Sequence, residues 1–408
     1  MKIKIFNKLF LLILLLIPLS VLAIDYPKIN SKYIEIYDLN DNKILYEMKA
    51  NDVIPIASLT KIATAMVAIE NVSNIENKVV ITSNMLKTVS AEAHVVGLKA
   101  GDKVTYKDLL YATIVSSGAD AANSLAILCS GSLDKHVEAM NALAKKIGLE
   151  KTHFKNVTGL DNKDNYSTPD EVRKLLLYAL DNNLFKEIYT TKKYKLSNGL
   201  TVNTTLKLYD KKGSLDTSKI LGSKTGFTSK AGYCLASMVD INGHKILIIT
   251  FKAEKKGNNY YNIIDALDLV KYMLKSYKDE ILVEKDQLIK ELPVNLSNID
   301  TYSIKASQEI SKYLPRDYDI NNLKITYEGE EELNYFNREG EKIGVISYYF
   351  EDELLLKEDV ILDQEIVINF KKVLQKYYYI VIIFVVLVIL MVVFLFLRKR
   401  KKKIEVIS

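Results

Sequence analysis

The feature that most limits how this 408-residue chain can fold is an uncharged, apolar run close to its end. Residues 377–397 carry no charge, and a helix of this length can cross the hydrocarbon core of a bilayer, which needs about 20 residues. The next six residues, RKRKKK, are all basic, as expected on the cytoplasmic side of a span, and the tyrosines at 377–379 suit its interfacial belt. The sequence therefore predicts one transmembrane helix followed by a basic cytoplasmic tail, residues 398–408.

The first 23 residues predict a secretory signal peptide. Lysines at positions 2, 4 and 8 precede an apolar run at residues 9–17, and Val21 and Ala23 form the pattern of a cleavage site. We expect cleavage after Ala23; an uncleaved membrane anchor is the alternative interpretation. In either case the middle of the chain is exported and held on the extracytoplasmic side of the cell membrane.

The distribution of charge argues against nucleic acid as a partner. The whole chain carries +6, but the signal and the tail together carry +8, which leaves −2 on the residues between them. A segment so close to neutral lacks the basic surface that neutralises phosphates. The basic tail is explained by topology, and contact with anionic membrane lipid is a weaker interpretation.

Cysteine and histidine usage predicts neither a disulfide framework nor a metal site. Cys129 and Cys234 are the only cysteines; they could pair in an oxidising compartment, but two buried thiols is the favoured interpretation. The four histidines form no HExxH or comparable ligand spacing. We therefore expect no metal and no other cofactor.

The periodicity of apolar residues predicts an α/β domain at residues 24–278. Alternation at residues 33–48 and the Asn242-Gly243 turn predict two hairpins at opposite ends of this region. Helical spacing dominates between them, beginning with a buried helix at residues 58–70. Strands at both ends with helices between them favour one sheet covered by helices.

Residues 279–370 predict a small all-β domain. Short alternating stretches, LKITYEG, GEKIGVISYYF and EIVINF, are separated by acidic or glycine-containing turns. This part has no catalytic pattern, so we interpret it as a spacer or docking domain above the membrane.

Ser58 and Lys61 are the first candidate catalytic pair. Residues three apart share one face of a helix, so the lysine can reach the hydroxyl and, when neutral, take its proton. Burial and a second cation would lower the lysine pKa towards that state. An ordinary helix start is the alternative interpretation, and the same spacing recurs at Ser132 and Lys135.

Two further motifs distinguish the first pair from the second. Ser117 and Gly118 occupy a predicted turn before a helix, and Lys224-Thr225-Gly226 occurs once, directly before an apolar strand. A glycine at that point lets a substrate backbone lie along the strand edge. Each motif alone fits a plain loop, but the ordered set of three is hard to obtain by chance. The second Ser-x-x-Lys pair follows the Ser117 motif and fails this test.

The ordered set Ser-x-x-Lys, Ser-x-Asn-like element and Lys-Thr-Gly resembles the signature of penicillin-binding proteins and class A β-lactamases. The stretches PIASLTKIATAMVAIE, VSSGADAANSLA, THFKNVTGLDNKDNYST and GSKTGFTSKAGYCL are similar to the low-molecular-mass D-alanyl-D-alanine carboxypeptidases, serine peptidase family S11. The order of signal, catalytic domain, β-domain and anchor extends the likeness over nearly the whole chain. It implies a penicillin-binding-protein/β-lactamase-like α/β fold.

The resemblance also implies the reaction. A peptidoglycan stem peptide ending in D-Ala-D-Ala would acylate Ser58, Lys61 would accept the serine proton, and Ser117 would relay a proton to the leaving D-Ala. Water would then release the shortened peptide. β-Lactam antibiotics are expected as covalent inhibitors.

The remaining motif residues are implied to bind the substrate. Lys224 and Thr225 would hold the terminal carboxylate through charge-assisted contacts, on the strand edge that Gly226 keeps open. Backbone N–H groups of Ser58 and Phe227 would form the oxyanion hole.

Two positions depart from the family pattern. The family's usual Asn is Ala119 here, which removes an amide expected to contact both Lys61 and the substrate, unless Asp120 or Asn123 compensates. An anion beside the lysine would favour its charged form, so we expect Asp120 to point away from the pocket and Asp120→Asn to have little effect. Solvent or substrate would fill the gap. The second departure is Glu171, where the family has Asp.

Other functions compete with this one. A β-lactamase needs a positioned Glu for fast deacylation, and a transpeptidase usually carries large additional domains. A non-catalytic penicillin-recognising sensor would have lost the Ser–Lys pair or gained a cytoplasmic signalling region. A Ser-His-Asp hydrolase built on His153 needs a Gly-x-Ser-x-Gly elbow, which the sequence lacks. The carboxypeptidase is therefore favoured.

Overall fold

The computed structural model describes residues 27–209 and 215–405. The predicted signal peptide and its cleavage site lie outside these residues. The chain divides into two compact units, with the boundary after Ser276.

The first unit contains a central antiparallel sheet with helices and shorter hairpins around it. Its strands are β1 (Tyr33–Asp38), β2 (Lys43–Met48), β3 (Lys78–Val80), β4 (Lys103–Thr105), β5 (Lys193–Lys195), β6 (Thr201–Asn203), β7 (Ile220–Thr228), β8 (Gly232–Ile241), β9 (His244–Ala253), β10 (Lys255–Lys256) and β11 (Asn259–Tyr260). Its helices are α1 (Lys61–Asn71), α2 (Ser83–Lys87), α3 (Tyr106–Ile114), α4 (Ala119–Ser130), α5 (Leu133–Lys146), α6 (Pro169–Asp181), α7 (Asn183–Thr190), α8 (Leu206–Tyr209) and α9 (Tyr261–Ser276). A 3₁₀ turn, Ala57–Thr60, leads directly into α1.

The central sheet joins the two predicted hairpins. Its five strands run in the order β2-β1-β9-β8-β7, so the first and last hairpins of the unit pair through β1 and β9. The second hairpin turns at Asn242 and Gly243, where φ is 55° and 96°. Positive φ at both central positions is what a two-residue type I′ turn requires. Strand β7 is left at one edge of the sheet.

Helix α1 lies in the middle of the helical layer. It is apolar on nearly every side, and its residues from Lys61 through Ala68 are buried. A helix of this composition is stable only when neighbours surround it, and here α3, α4, α5 and α6 pack against it. The first residue of α1 therefore lies at the edge of the hydrophobic core.

A buried ion pair joins helix α6 to strand β1. The Arg173 Nε donates to Glu35 Oε1 at 2.5 Å, and the two residues are 8% and 0% exposed. The same guanidinium donates to Asp170 and lies over the Tyr37 ring, 4.7 Å from its centroid. Removing one member of such a pair leaves the other charge buried and unpaired.

We expect Arg173→Leu to lower the free energy of unfolding by about 3–5 kcal/mol, because Glu35 would lose its buried counter-ion. Thermal unfolding of the detergent-solubilised full chain measures this change. The Arg173→Leu, Glu35→Leu double variant should recover most of the loss. Lys174→Ala, which removes only an exposed partner of Asp170, is the matched control and should cost less than about 1 kcal/mol. An unchanged midpoint in Arg173→Leu would contradict the expectation.

The second unit is a small β-rich domain followed by a long helix. Its strands are β12 (Tyr277–Val283), β13 (Leu288–Asn295), β14 (Thr301–Lys305), β15 (Ile310–Pro315), β16 (Leu323–Gly329), β17 (Leu333–Asn334), β18 (Lys342–Phe350) and β19 (Glu353–Ile361), and a 3₁₀ turn spans Ile320–Asn322. Leu292, Leu333 and Tyr348 are fully buried in its own apolar core. The predicted β-domain is thus present.

One predicted strand of this unit is wrong. The stretch EIVINF, residues 365–370, contributes only a single bridge, from Ile368 to Ser297. The cause is Asn369, whose side-chain oxygen accepts from the backbone N–H of Lys371 and Lys372 at 3.1 and 3.2 Å. Such a contact starts a helix, and the alternating pattern ends there.

The long helix α10 spans Phe370–Glu405 and contains the predicted transmembrane run. Its segment Phe370–Lys399 is long and apolar enough to cross a membrane, and its most apolar stretch has no buried residue. The helix is longer than the predicted span at both ends.

Candidate active site

A cavity of about 290 Å³ in the first unit brings the three sequence motifs together. Six motif residues line it, namely Ser58, Lys61, Ser117, Thr225, Gly226 and Phe227. Lys224 is fully buried and reaches the same place through its Nζ, which donates to Ser117 Oγ at 2.7 Å. Residues far apart in the chain thus converge on one pocket.

Ser58 lies in the 3₁₀ turn that precedes helix α1. The preceding residue, Ala57, has φ of 48°, an uncommon conformation for alanine. Gly159 packs directly against it: a Cβ added at Gly159, where φ is 84°, would lie 1.8 Å from the Ala57 carbonyl oxygen. Only glycine fits there, so the backbone around residue 159 holds the serine turn in place.

Lys61 is one turn further along and is held by two contacts. Its Nζ lies 2.9 Å from Ser58 Oγ and 2.8 Å from the backbone carbonyl oxygen of Thr158. Burial lowers the pKa of this lysine to about 7, and the carboxylate of Asp120 offsets part of that effect. A substantial fraction of the side chain is then neutral near pH 7, as a general base requires.

Lys224 supplies the second cation of the site. It donates to Ser117 Oγ at 2.7 Å and to the carbonyl oxygen of Thr225 at 2.8 Å. Burial, and then the positive charge of Lys61, hold its pKa well below the usual range. An anionic ligand would relieve both effects, so this end of the cavity favours a carboxylate.

Strand β7 brings its motif against the serine turn. A Cβ added at Gly226 would lie 3.1 Å from the Ser58 backbone nitrogen and 3.0 Å from the Ala57 Cβ, which leaves little room for a larger side chain. The Thr225 hydroxyl donates to Thr205 Oγ at 2.7 Å. Phe227 is 49% exposed and stacks on Tyr233, with ring centroids 4.3 Å apart.

A family model for D-alanyl-D-alanine carboxypeptidases, peptidase family S11, matches residues 21–255, more than half of the chain. The chain belongs to this family. A model of the C-terminal domain of penicillin-binding protein 5 matches residues 277–367. The family predicted from the motifs is confirmed.

Individual relatives agree with this assignment. The D-alanyl-D-alanine carboxypeptidase DacF of Bacillus subtilis is 25% identical over 339 residues, covering 79% of this chain and 82% of that protein. A D-alanyl-D-alanine endopeptidase of Escherichia coli is 31% identical over 240 residues, covering 57% and 75%. The crystal structure of a peptidoglycan synthesis regulatory factor (PBP3) from Streptococcus pneumoniae shares the fold, with a TM-score of 0.63, 23% identity and coverage of 83% and 100%.

In this carboxypeptidase, Asp120 holds a loop and does not line the Ser58 cavity. Its carboxylate accepts from the backbone N–H groups of Val96, Gly97 and Leu98 at 3.0, 2.9 and 3.0 Å. These contacts agree with the expected structural role. They do not support the expectation that Asp120→Asn changes little, because the new amide NH₂ would face N–H donors.

Asn123, the other candidate for compensation at Ala119, forms its hydrogen bonds elsewhere, and so does Glu171. The Asn123 amide donates to the carbonyl and hydroxyl oxygens of Thr88 at 3.1 and 2.9 Å. Glu171, the second departure from the family pattern, accepts from the backbone N–H of Lys151 at 2.8 Å and from a neighbouring threonine hydroxyl. Both residues therefore stabilise surrounding loops.

The competing sequence candidates also have structural roles. Ser132 caps helix α5 by accepting from the Lys135 backbone N–H at 3.2 Å. His153 Nδ1 bonds the Asp164 carbonyl at 2.6 Å.

Cys129 and Cys234 are free thiols, the first partly exposed and the second buried. Residues 27–209 and 215–405 contain no group of three or more His, Cys, Asp or Glu side chains that could hold a metal ion.

Sequence reasoning missed several residues of this cavity. Thr158, Thr205 and His94 line it. Thr158 contributes a backbone carbonyl, which no side-chain pattern can indicate. His94 was missed because metal-ligand spacing was the wrong test for it. The sequence signal that could have indicated it is a histidine in the segment before the Ser117 motif.

We expect labelled penicillin to attach covalently to the detergent-solubilised full chain and not to its Ser58→Ala variant. The reason is that Ser58, and not Ser132, has a buried lysine on its hydroxyl. Gel fluorescence after incubation measures the attachment. Ser132→Ala is the matched control, since it removes the other serine of the same spacing, and should label normally. Undiminished labelling of Ser58→Ala would refute the assignment of the nucleophile.

Proposed function

We propose that this carboxypeptidase removes the terminal D-alanine from peptidoglycan stem peptides through an acyl-enzyme on Ser58. The observation that carries the proposal is the 2.9 Å contact between Ser58 Oγ and the buried Lys61 Nζ. As the serine oxygen attacks the carbonyl carbon of the penultimate D-Ala, its proton passes to the neutral amine. The Thr158 carbonyl then accepts from the resulting ammonium, which it already contacts at 2.8 Å.

Departure of D-alanine requires a proton on the leaving nitrogen. Ser117 is suited to relay it, because its hydroxyl accepts from Lys224 and can donate in turn. The C–N bond breaks, the protonated amine leaves as free D-Ala, and the acyl group stays on Ser58. Water then attacks the ester, and the peptide is released one residue shorter with the serine regenerated.

In this proposal, residues of strand β7 bind the substrate. Lys224 and Thr225 hold the terminal carboxylate, which supplies the anion that two buried lysines favour. Gly226 keeps the strand close to the serine turn. Backbone N–H groups of Ser58 and Phe227 stabilise the oxyanion that forms during attack. No step needs a metal or cofactor.

The proposed location is the outer face of the cell membrane. The apolar helix α10 is the anchor, in contact with membrane lipid, and the basic residues after it are cytoplasmic. The catalytic domain, residues 24–278, and the β-domain, residues 279–370, are then extracytoplasmic, where peptidoglycan is found. The first 23 residues act as a cleaved signal.

Release of free D-alanine tests the reaction itself. The detergent-solubilised full chain should release one equivalent from a pentapeptide ending in D-Ala-D-Ala and none from the matched D-Ala-L-Ala peptide. Benzylpenicillin should inhibit the release by forming an acyl-enzyme on Ser58 that deacylates slowly. Rapid penicillin hydrolysis without D-Ala release would indicate a β-lactamase instead.

The acylation rate should fall as pH drops below about 7. Lys61 acts as a base only when neutral, and burial lowers its pKa to about 7. The second-order rate of penicillin labelling should therefore be about tenfold lower at pH 6 than at pH 8. Thermal unfolding at each pH is the control for loss of fold. A rate that is constant from pH 5 to pH 9 would exclude Lys61 as the titrating base.

Truncation tests the topology. A chain that ends at residue 370 should lose helix α10 and be released from cells as an active, soluble enzyme. In intact cells carrying the full chain, protease should reach the residues before 377 from outside, while a tag on the last residues stays protected. If the truncated protein remained in the membrane, the first 23 residues would be an anchor and not a cleaved signal.

A further inference from the structure

His94 lines the Ser58 cavity and has no role in the proposed mechanism. Its side chain is exposed to the cavity mouth and is within reach of the charges of both catalytic-site lysines. A histidine in this position can bind a peptide directly. The contact that it can make depends on how rigid its loop is and on the side chain at the neighbouring position 119.

The missing group is at Ala119. In the family pattern this position carries an amide that contacts the substrate, whereas here it carries a methyl group. Ala119 is buried and lines a neighbouring cavity of about 180 Å³, which shares Ala93, Thr158 and Leu160 with the Ser58 cavity. The side chain at the start of helix α4 therefore offers no hydrogen bond to a bound peptide.

The backbone of His94 lies next to that of Ala119. The Ala119 N–H donates to the His94 carbonyl oxygen at 2.8 Å. A Cβ added at Gly118 would lie 2.8 Å from Val96 Cγ1, so the two segments are in close contact. His94 thus adjoins position 119 through its backbone and also lines the Ser58 cavity.

The loop that carries His94 is fixed at several points. Asp120 accepts from three consecutive backbone N–H groups, at residues 96–98, and is itself 3% exposed. A buried carboxylate with this many backbone donors is a rigid support. The backbone that carries His94 is therefore held in place before substrate arrives, which limits the backbone entropy lost on binding.

The charges around the ring favour its neutral form. Burial, then Lys61 and Lys224, lower the His94 pKa, while Asp120 and a hydrogen bond to the Ser116 backbone oppose them. A neutral imidazole has one N–H donor and one nitrogen that accepts. Glu92 also lies on the cavity wall.

We propose that His94 supplies the substrate contact that Ala119 lacks, with its unprotonated ring nitrogen accepting a hydrogen bond from a backbone N–H of the stem peptide. This inference rests on the proposed carboxypeptidase function. It assigns His94 to substrate binding and leaves proton transfer with Lys61 and Ser117. The loop of residues 94–98 thus makes the substrate contact that the family pattern assigns to a side chain of helix α4.

The test is a double-mutant cycle between positions 94 and 119, in the full chain in detergent. The kcat/KM for D-Ala release from the pentapeptide should fall about tenfold to a hundredfold in His94→Ala, since a bound N–H would lose its acceptor. Restoring the amide in the His94→Ala, Ala119→Asn double variant should recover most of this loss. His94→Gln, which keeps an acceptor, should stay within about fivefold of the wild type.

Val95→Ala is the matched control, because it changes an exposed neighbour on the same loop and should leave kcat/KM unchanged. Equal kcat/KM in His94→Ala and wild type would overturn the inference. So would an equal loss in His94→Ala, His94→Gln and the double variant, which would indicate a purely structural loop effect. Both outcomes require an active wild type; a wild type that releases no D-Ala would instead refute the proposed function.

Discussion

The proposed active site depends on one constraint, the burial of the Lys61 amine beside the Ser58 hydroxyl. A lysine in water is almost fully charged at pH 7 and cannot act as a base. Here it is the first residue of a helix surrounded by other helices, and burial brings its pKa to about 7. The Thr158 carbonyl satisfies the amine without adding a full negative charge, which would raise the pKa again. Gly159, the next residue, fixes the serine turn. One loop therefore supports both members of the pair.

The charged groups around Lys61 are arranged so that its neutral form stays accessible. Lys224 lies close enough for the positive charge of Lys61 to lower its pKa, and both lysines are buried. Asp120 is near enough to raise the Lys61 pKa. Its carboxylate, however, accepts hydrogen bonds from three backbone N–H groups of the loop and not from Lys61. The alternative, a direct ion pair with Lys61, would stabilise the protonated base. The same carboxylate thus fixes a loop and remains outside the cavity.

Local patterns in the sequence predicted the elements, and long-range contacts determined the rest. The two hairpins, the break before α4 and the Ser58–Lys61 pair follow from periodicity, turn residues and spacing. The strand order β2-β1-β9-β8-β7 does not, because it depends on pairing between residues about 200 positions apart. Thr158 was missed because it acts through its backbone, 97 positions from Lys61. The strand predicted at residues 365–370 failed because Asn369 caps a helix within an alternating pattern.

The pairing of two buried lysines also bears on why the proposed substrate ends in a carboxylate. An isolated anion in the cavity would raise the Lys61 pKa and weaken the base just when it is needed. A carboxylate held on Lys224 forms a pair with no net charge, so its effect on Lys61 is largely cancelled. The anion also offsets the cost of burying the Lys224 charge, which raises the Lys224 pKa again. A substrate cut one residue from its end brings its carboxylate to this position, whereas an internal peptide bond does not. In the proposed mechanism, exopeptidase specificity and the protonation state of the base are therefore two consequences of the same lysine pair.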